Sequence, residues 1–359
     1  DPYKTLAATI VTATAGNSQA SMNYLTQIPR AEWTTQHEGI MVYGGLAPFM
    51  DVPVTDVMAD LQDLIPEELI QKSSHPELRS VIQYTPRMIV WSDQYHPENI
   101  PLQDWLGVYD GEPFTGAASL NGTLYVFTRT TIYMAVGLTG GGDTTFQLKK
   151  ISEHVGCTSH RSIQQVGNKL VFLAEDGVYT LDEYEGLKKV SPQLDGLFGV
   201  GGDWEPPIPR VWWQDLAMRF GYPWRIASSR MSRSCAVTIP RQGYYLVTLS
   251  TLNGDQNLTL AWNYNVPNPT NPGAGAWSLW MPTRGETGVL PSGFAPTGWG
   301  RFRTDLDTVY FCNAAGDICR LDQFGGHTTD RDTVTRADAK IPMYWTTPYL
   351  EPLGVDHKA

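Results

Sequence analysis

Five carboxylates crowd one stretch of the chain: Asp93, Glu98, Asp104, Asp110 and Glu112. Two carboxylates about 5–10 Å apart are what glycoside hydrolysis needs, one as acid and one as base or nucleophile. The sialidase-type Ser-x-Asp-x-Gly-x-x-Trp box is absent, and with 37 acidic residues some clustering arises by chance. The expectation is therefore solvated turn carboxylates. Four tryptophans form a second candidate set: Trp204, Trp212, Trp213 and Trp224. On exposed loops such rings stack on sugars or seal protein interfaces. They are taken as candidate partner-interface residues, the alternative being that they pack beneath a long loop.

Other chemistries find less support. No Gly-x-Ser-x-Gly elbow offers a serine nucleophile. Gly140-Gly141-Gly142-Asp143-Thr144-Thr145 lacks the Lys of a phosphate loop and reads as a turn. The four cysteines, Cys157, Cys235, Cys312 and Cys319, contain no CxxC pair, and the seven histidines no HxxxH or HExxH spacing. Asp305, Asp307, Asp330 and Asp332 could touch a calcium ion, but no twelve-residue ligand loop surrounds them. Cys312 and Cys319 flank a turn and are able to face each other across it, although reduced thiols are the simpler expectation. The chain is thus read as carrying no catalytic residues, no cofactor and no metal, and as not an enzyme.

Net charge is −11, from 26 basic and 37 acidic residues. Affinity for phosphate backbones comes mainly from Lys and Arg, so an acidic chain is poorly suited to gripping nucleic acid. It remains suited to letting DNA pass without holding it. No apolar stretch approaches the length of a membrane span. No signal-peptide pattern opens the chain and its first residue is Asp1, so the numbered sequence is expected to be a processed or partial product.

The elements that must position these residues are mostly strands. The 359 residues include 34 Gly and 25 Pro, which disfavours helix bundles, while 42% apolar residues supply a core. Aromatics reach 11%, with 12 Trp and 17 Tyr, which favours strands. Residues 1–50 read as an extended segment contributing strands. Residues 51–79 read as a helical insertion: Val57, Leu61, Leu64 and Ile65 follow helical spacing, Thr55 or Asp56 caps the start, and Pro66 opens a second turn.

From residue 80 onward, apolar runs of strand length alternate with turns. Five hairpins are expected: 80–84 with 87–92, 122–127 with 131–136, 166–173 with 177–181, 243–249 with 258–264, and 308–312 with 317–322. Asp176-Gly177 and Asn253-Gly254 supply the strongest turn signals. The second strands resemble each other: compare Gly177-Val178-Tyr179-Thr180-Leu181 with Asp317-Ile318-Cys319-Arg320-Leu321. Repeated small sheets at an interval of roughly 40 to 75 residues suggest propeller blades, because one such sheet cannot bury both its faces alone. The fold class expected is all-β: a β-propeller of antiparallel blades with a short helical insertion, and with partner-contact loops at 193–230 and 265–300 within a main body of 80–359.

Four segments together resemble the β-propeller tail proteins of short-tailed bacteriophages, the tail nozzle, tail hub and head-to-tail stabilisation proteins. They are residues 88–100, with Trp91-Ser92-Asp93 and Pro97-Glu98-Asn99; residues 120–133, with Leu124-Tyr125-Val126-Phe127; residues 150–179, with Gly156-Cys157-Thr158-Ser159-His160-Arg161-Ser162; and residues 316–348, ending in Trp345-Thr346-Thr347-Pro348. The resemblance covers residues 80–190 and 235–350, in texture and order more than in fixed letters. It implies a structural virion protein assembled in the host cytoplasm. It further implies a homo-oligomeric, hexameric ring that continues the DNA channel from the head-to-tail connector. Its partners would be portal or adaptor and tail-fibre or other tail proteins, with genomic DNA passing unbound. The alternative is a host-surface carbohydrate-binding or glycosidase propeller.

Overall fold

In the computed structural model, the described residues are 24–25, 31–46, 85–101, 105–108, 111–136, 147–199, 226–251, 254–266, 275–280, 296–302, 305–313, 316–321, 329–331 and 338–340. The expected helical insertion at 51–79 lies outside them. The chain divides into two units, Asp1–Val190 and Ser191–Ala359. The fold is an all-β propeller type built of five antiparallel sheets, three in the first unit and two in the second.

In the first unit, β1 (Tyr24–Leu25) pairs with β5 (Ile100–Pro101). Blade one is β2 (Ala31–His37), β3 (Ile40–Leu46), β4 (Met88–Trp91) and β6 (Trp105–Gly107). Blade two is β7 (Phe114–Leu120), β8 (Thr123–Thr128), β9 (Ile132–Val136) and β10 (Gln147–Ser152). Blade three is β11 (Gln164–Val166), β12 (Lys169–Ala174), β13 (Gly177–Asp182) and β14 (Gly186–Lys189).

The second unit opens with short 3-10 segments, Pro192–Phe198 and Ser228–Arg233. Blade four is β15 (Cys235–Ile239), β16 (Tyr244–Thr251), β17 (Gly254–Asn263) and β18 (Ala276–Trp280). Blade five is β19 (Pro296–Phe302), β20 (Asp305–Asn313) and β21 (Ile318–Leu321). A separate ribbon pairs β22 (Thr329–Arg331) with β23 (Asp338–Lys340).

Strand composition follows from position. A strand covered on both faces reads as a continuous apolar run, whereas an edge strand reads polar. Leu124, Tyr125, Val126 and Phe127 of β8 are all buried. Their side chains alternate between two interfaces. Leu124 and Val126 join Trp33, Val42, Ile89 and Phe114 against blade one. Tyr125 and Phe127 join Leu170, Phe172 and Tyr179 against blade three. At the edge, β10 exposes Lys149, Lys150 and Ile151. Each fully buried large apolar side chain contributes about 1.5–3 kcal/mol relative to exposure. The two inter-blade layers are therefore what hold three small sheets together.

Four of the five expected hairpins form: β8 with β9, β12 with β13, β16 with β17 and β20 with β21. The first differs. Both edges of β4 are taken by β3 and β6, so its neighbours come from 40–46 and 105–107; residues 80–84 lie outside the described set. The turn before β13 also differs from an Asp-Gly type. Ala174 pairs directly with Gly177, leaving Glu175 and Asp176 as the loop, and Gly177 follows at φ 153°. The turns with mirror-type hairpin geometry include those joining β2 to β3, with Glu38 at φ 44° and Gly39 at φ 86°, and β7 to β8, with Asn121 at φ 50° and Gly122 at φ 76°.

Candidate functional site

The candidate interface residues Trp204, Trp212, Trp213 and Trp224 all lie outside the described residues. So do Asp104 and Asp110 of the carboxylate set. The other three residues lie in or beside turns. Asp93 donates its amide to the Asn99 carbonyl at 2.8 Å and bridges to His96, closing the loop after β4. Glu98 faces His96 at 3.4 Å with both side chains mostly exposed. A backbone hydrogen bond, helped by His96, holds the Glu98 carboxyl below its usual range. A glycosidase acid needs the opposite shift. One oxygen of Glu112 accepts both the Thr130 amide and the Thr130 hydroxyl, each at 2.9 Å, and so caps the turn between β8 and β9.

The most completely built polar constellation lies between β10 and β11, in residues 155–163. This segment reads as loop in sequence, yet it is mostly buried. Gly156 passes against the β8–β9 turn so closely that a Cβ there would fall 2.2 Å from the Thr128 carbonyl oxygen. The Cys157 amide donates to that same carbonyl at 2.8 Å, while the Cys157 carbonyl accepts the Thr115 hydroxyl of β7 at 2.5 Å. Thr158 turns to blade three, with both its amide and its hydroxyl on the Leu173 carbonyl, at 2.9 Å and 3.2 Å. Ser162 Oγ donates to the Ser159 carbonyl at 2.7 Å and accepts the Leu173 amide at 3.2 Å.

His160 carries the segment to blade one. Its Nδ1 accepts the Ala117 amide of β7 at 3.4 Å, and its ring stacks on Trp33 of β2 at 5.5 Å between centroids. Trp33 in turn donates Nε1–H to the Phe114 carbonyl at 3.2 Å. Burial holds the His160 pKa below its ordinary value; a hydrogen bond with the Thr34 backbone opposes this, and the neighbouring Arg161 charge adds to it. The ring is therefore neutral at pH 7. One short strap thus contacts all three blades of the first unit.

The strap contains a thiol and an imidazole, the residue types of a cysteine nucleophile. Their environment argues otherwise. Burial pushes the Cys157 thiol up to about 11, against hydrogen bonds from Ser162, Ser159 and Leu173 that act in the other direction. Its Sγ lies 3.1 Å from the Ser159 carbonyl and 3.5 Å from Ser162 Oγ. A reactive thiolate needs a lowered pKa and solvent access. This thiol has neither, and the His160 Nδ1 is occupied by a backbone amide.

Cys312 and Cys319 do not face each other. Cys312 pairs with Ile318 and Phe311 with Cys319, so the two thiols lie on opposite faces of blade five, and all four cysteines are thiols. Among the described residues no group of three or more His, Cys, Asp or Glu gathers as a metal site, and no helix is long and apolar enough to cross a membrane. The side chains of Asp305, Asp307, Asp330 and Asp332 lie outside the described set. The strap's signal in sequence is a run of short hydrogen-bonding side chains, Cys157-Thr158-Ser159, directly after Gly156.

No protein-family model matches the chain, and no curated protein matches it in sequence.

Proposed function

We propose that the chain is a non-enzymatic structural protein of a bacteriophage tail, one subunit of a nozzle, hub or adaptor ring that continues the DNA channel below the head-to-tail connector. The observation that carries this reading is the strap. One of the four segments that resemble the tail propellers, residues 150–179, contains the tie between three blades, with its cysteine and histidine committed to packing and backbone hydrogen bonds. A protein that guides DNA under pressure needs rigid shape more than a reactive site. Satisfied antiparallel ladders and dry inter-blade layers supply that rigidity. Identical subunits would close a ring through head-to-tail contacts.

Light scattering during size exclusion and negative-stain imaging of the purified chain test the reading. The expected result is a closed ring with a central hole. A compact monomer or trimer that binds or cleaves glycans would replace it with the host-surface alternative.

A further inference from the structure

The turn between β13 and β14 is held rigid by a carboxylate of its own. Asp182 is buried, and its Oδ1 accepts the Tyr184 and Glu185 amides at 2.7 and 3.2 Å. Lys169 of β12 lies 2.7 Å from Glu185 and 3.9 Å from Asp182, which partly offsets those two charges. Glu183 is exposed and pairs with no cation among the described residues, and Tyr184 beside it is 85% exposed. Tyr125 of β8 reaches the same turn from blade two. Its ring packs in one cluster with Leu170 and Leu181, the neighbours of Lys169 and Asp182. Tyr125 is only 6% exposed, yet its hydroxyl makes no hydrogen bond among the described residues. Burial raises the Tyr125 pKa, and the Glu183 and Asp182 charges raise it further, so both carboxylates lie near that hydroxyl. The rim continues toward blade one. A Cβ at Gly122, in the turn before β8, would fall 3.0 Å from Glu38 Oε1. Gln94 Nε2 donates to the Glu38 carbonyl at 3.2 Å, and the next residue, Tyr95, is exposed.

A phenol oxygen held largely out of water is costly until a donor reaches it. A carboxylate and an aromatic face beside that oxygen select a cation. The carboxylates of this turn do not gather as a metal site, so the match is an organic cation. An arginine guanidinium presents several donors in one plane and stacks on aromatic rings. Tyrosines that project from ordered turns act as anchors of protein interfaces, whereas small ligands are taken into concave pockets. We propose that this rim is a docking surface for a basic segment of a partner protein, with an arginine of that segment seated beside Glu183, Tyr184 and the Tyr125 hydroxyl. The surface is independent of the tail reading and holds whether or not the chain forms a ring.

Fluorescence anisotropy of a labelled hexa-arginine peptide, titrated with the full chain, tests it, with hexaglutamate as the control. The expected result is saturable binding of hexa-arginine alone. Glu183→Gln and Tyr125→Phe each weaken it by about threefold or more, whereas Glu32→Gln, which removes an exposed carboxylate at the end of β2 away from Glu38, leaves it unchanged. Spermine, a small polyamine with no guanidinium, displaces the peptide poorly. Absence of saturable binding overturns the proposal. Equal weakening by Glu32→Gln and Glu183→Gln also overturns it, because attraction to net charge alone would then explain the binding. Displacement by spermine at the peptide's own concentration overturns the choice of a protein partner. Should Tyr125→Phe fail to fold, Glu183→Gln at the surface decides alone.

Discussion

Gly156 and His160 are the residues at which the strap has least freedom. At Gly156 a methyl group would meet Thr128 O at 2.2 Å and the Arg129 carbonyl carbon and Thr130 amide nitrogen at 2.7 Å, all of them backbone atoms. None can swing aside as a flexible side chain would. Gly156→Ala is expected to cost about 1–3 kcal/mol or more through overpacking. Urea unfolding checks this, and an unchanged midpoint would show that the strap does not press on the turn. His160 makes stability depend on pH. Its folded pKa lies below the ordinary 6.5, chiefly because of burial, so between the two values the unfolded chain binds more protons. The contribution is fully present above pH 6.5 and is lost as pH falls through the folded pKa. Protonation also replaces the acceptor at Nδ1 with a donor that opposes the Ala117 amide. Wild-type Tm should fall on acidification below pH 6.5 more steeply than that of His160→Gln. Parallel profiles would remove His160 from the account.

The blade is the element on which folding is decided, and β13 offers the cleanest test. Gly177 is buried, begins the strand and holds φ 153°, a region side chains rarely enter. Gly177→Val should destabilise by about 1 kcal/mol or more, and an unchanged Tm would show that the backbone accommodates the side chain. The hairpins around residues 122–136 and 166–181 were readable from sequence because their partners are local and their apolar runs end at turn residues. Blade one was not readable in the same way. Periodicity marks Met88–Trp91 as a strand, but it cannot tell that the partner is Ile40–Leu46, across a long intervening stretch, rather than a neighbouring apolar run. Cys312 and Cys319 are free thiols, in line with the simpler expectation, and register is what keeps them from facing each other. A register one residue different places two thiols on opposite faces, and the register depends on the turn rather than on the strands. The strap was legible as a resemblance and illegible as a structure. Serine, threonine and glycine look like loop until the carbonyls that receive them, Thr128 and Leu173, are known. Asp93 and Glu98 lie in the loop after β4, and Glu112 reaches from the loop before β7 to cap the β8–β9 turn.

At the scale of the whole molecule the net charge of −11 becomes the relevant quantity. Duplex DNA carries one negative charge per about 1.7 Å, so a basic lumen would bind it and slow its passage. An acidic or neutral lumen repels it only weakly, since screening acts beyond roughly 8–10 Å at moderate salt. The proposed ring therefore carries more acidic than basic side chains toward its channel. A cryo-EM map of the assembled particle tests the central claim most directly. The account predicts this chain in a closed ring around axial DNA density below the connector, with Asp and Glu outnumbering Lys and Arg along the lumen. Finding the chain off the tail axis as a spike, or finding the lumen lined by Lys and Arg, would contradict it.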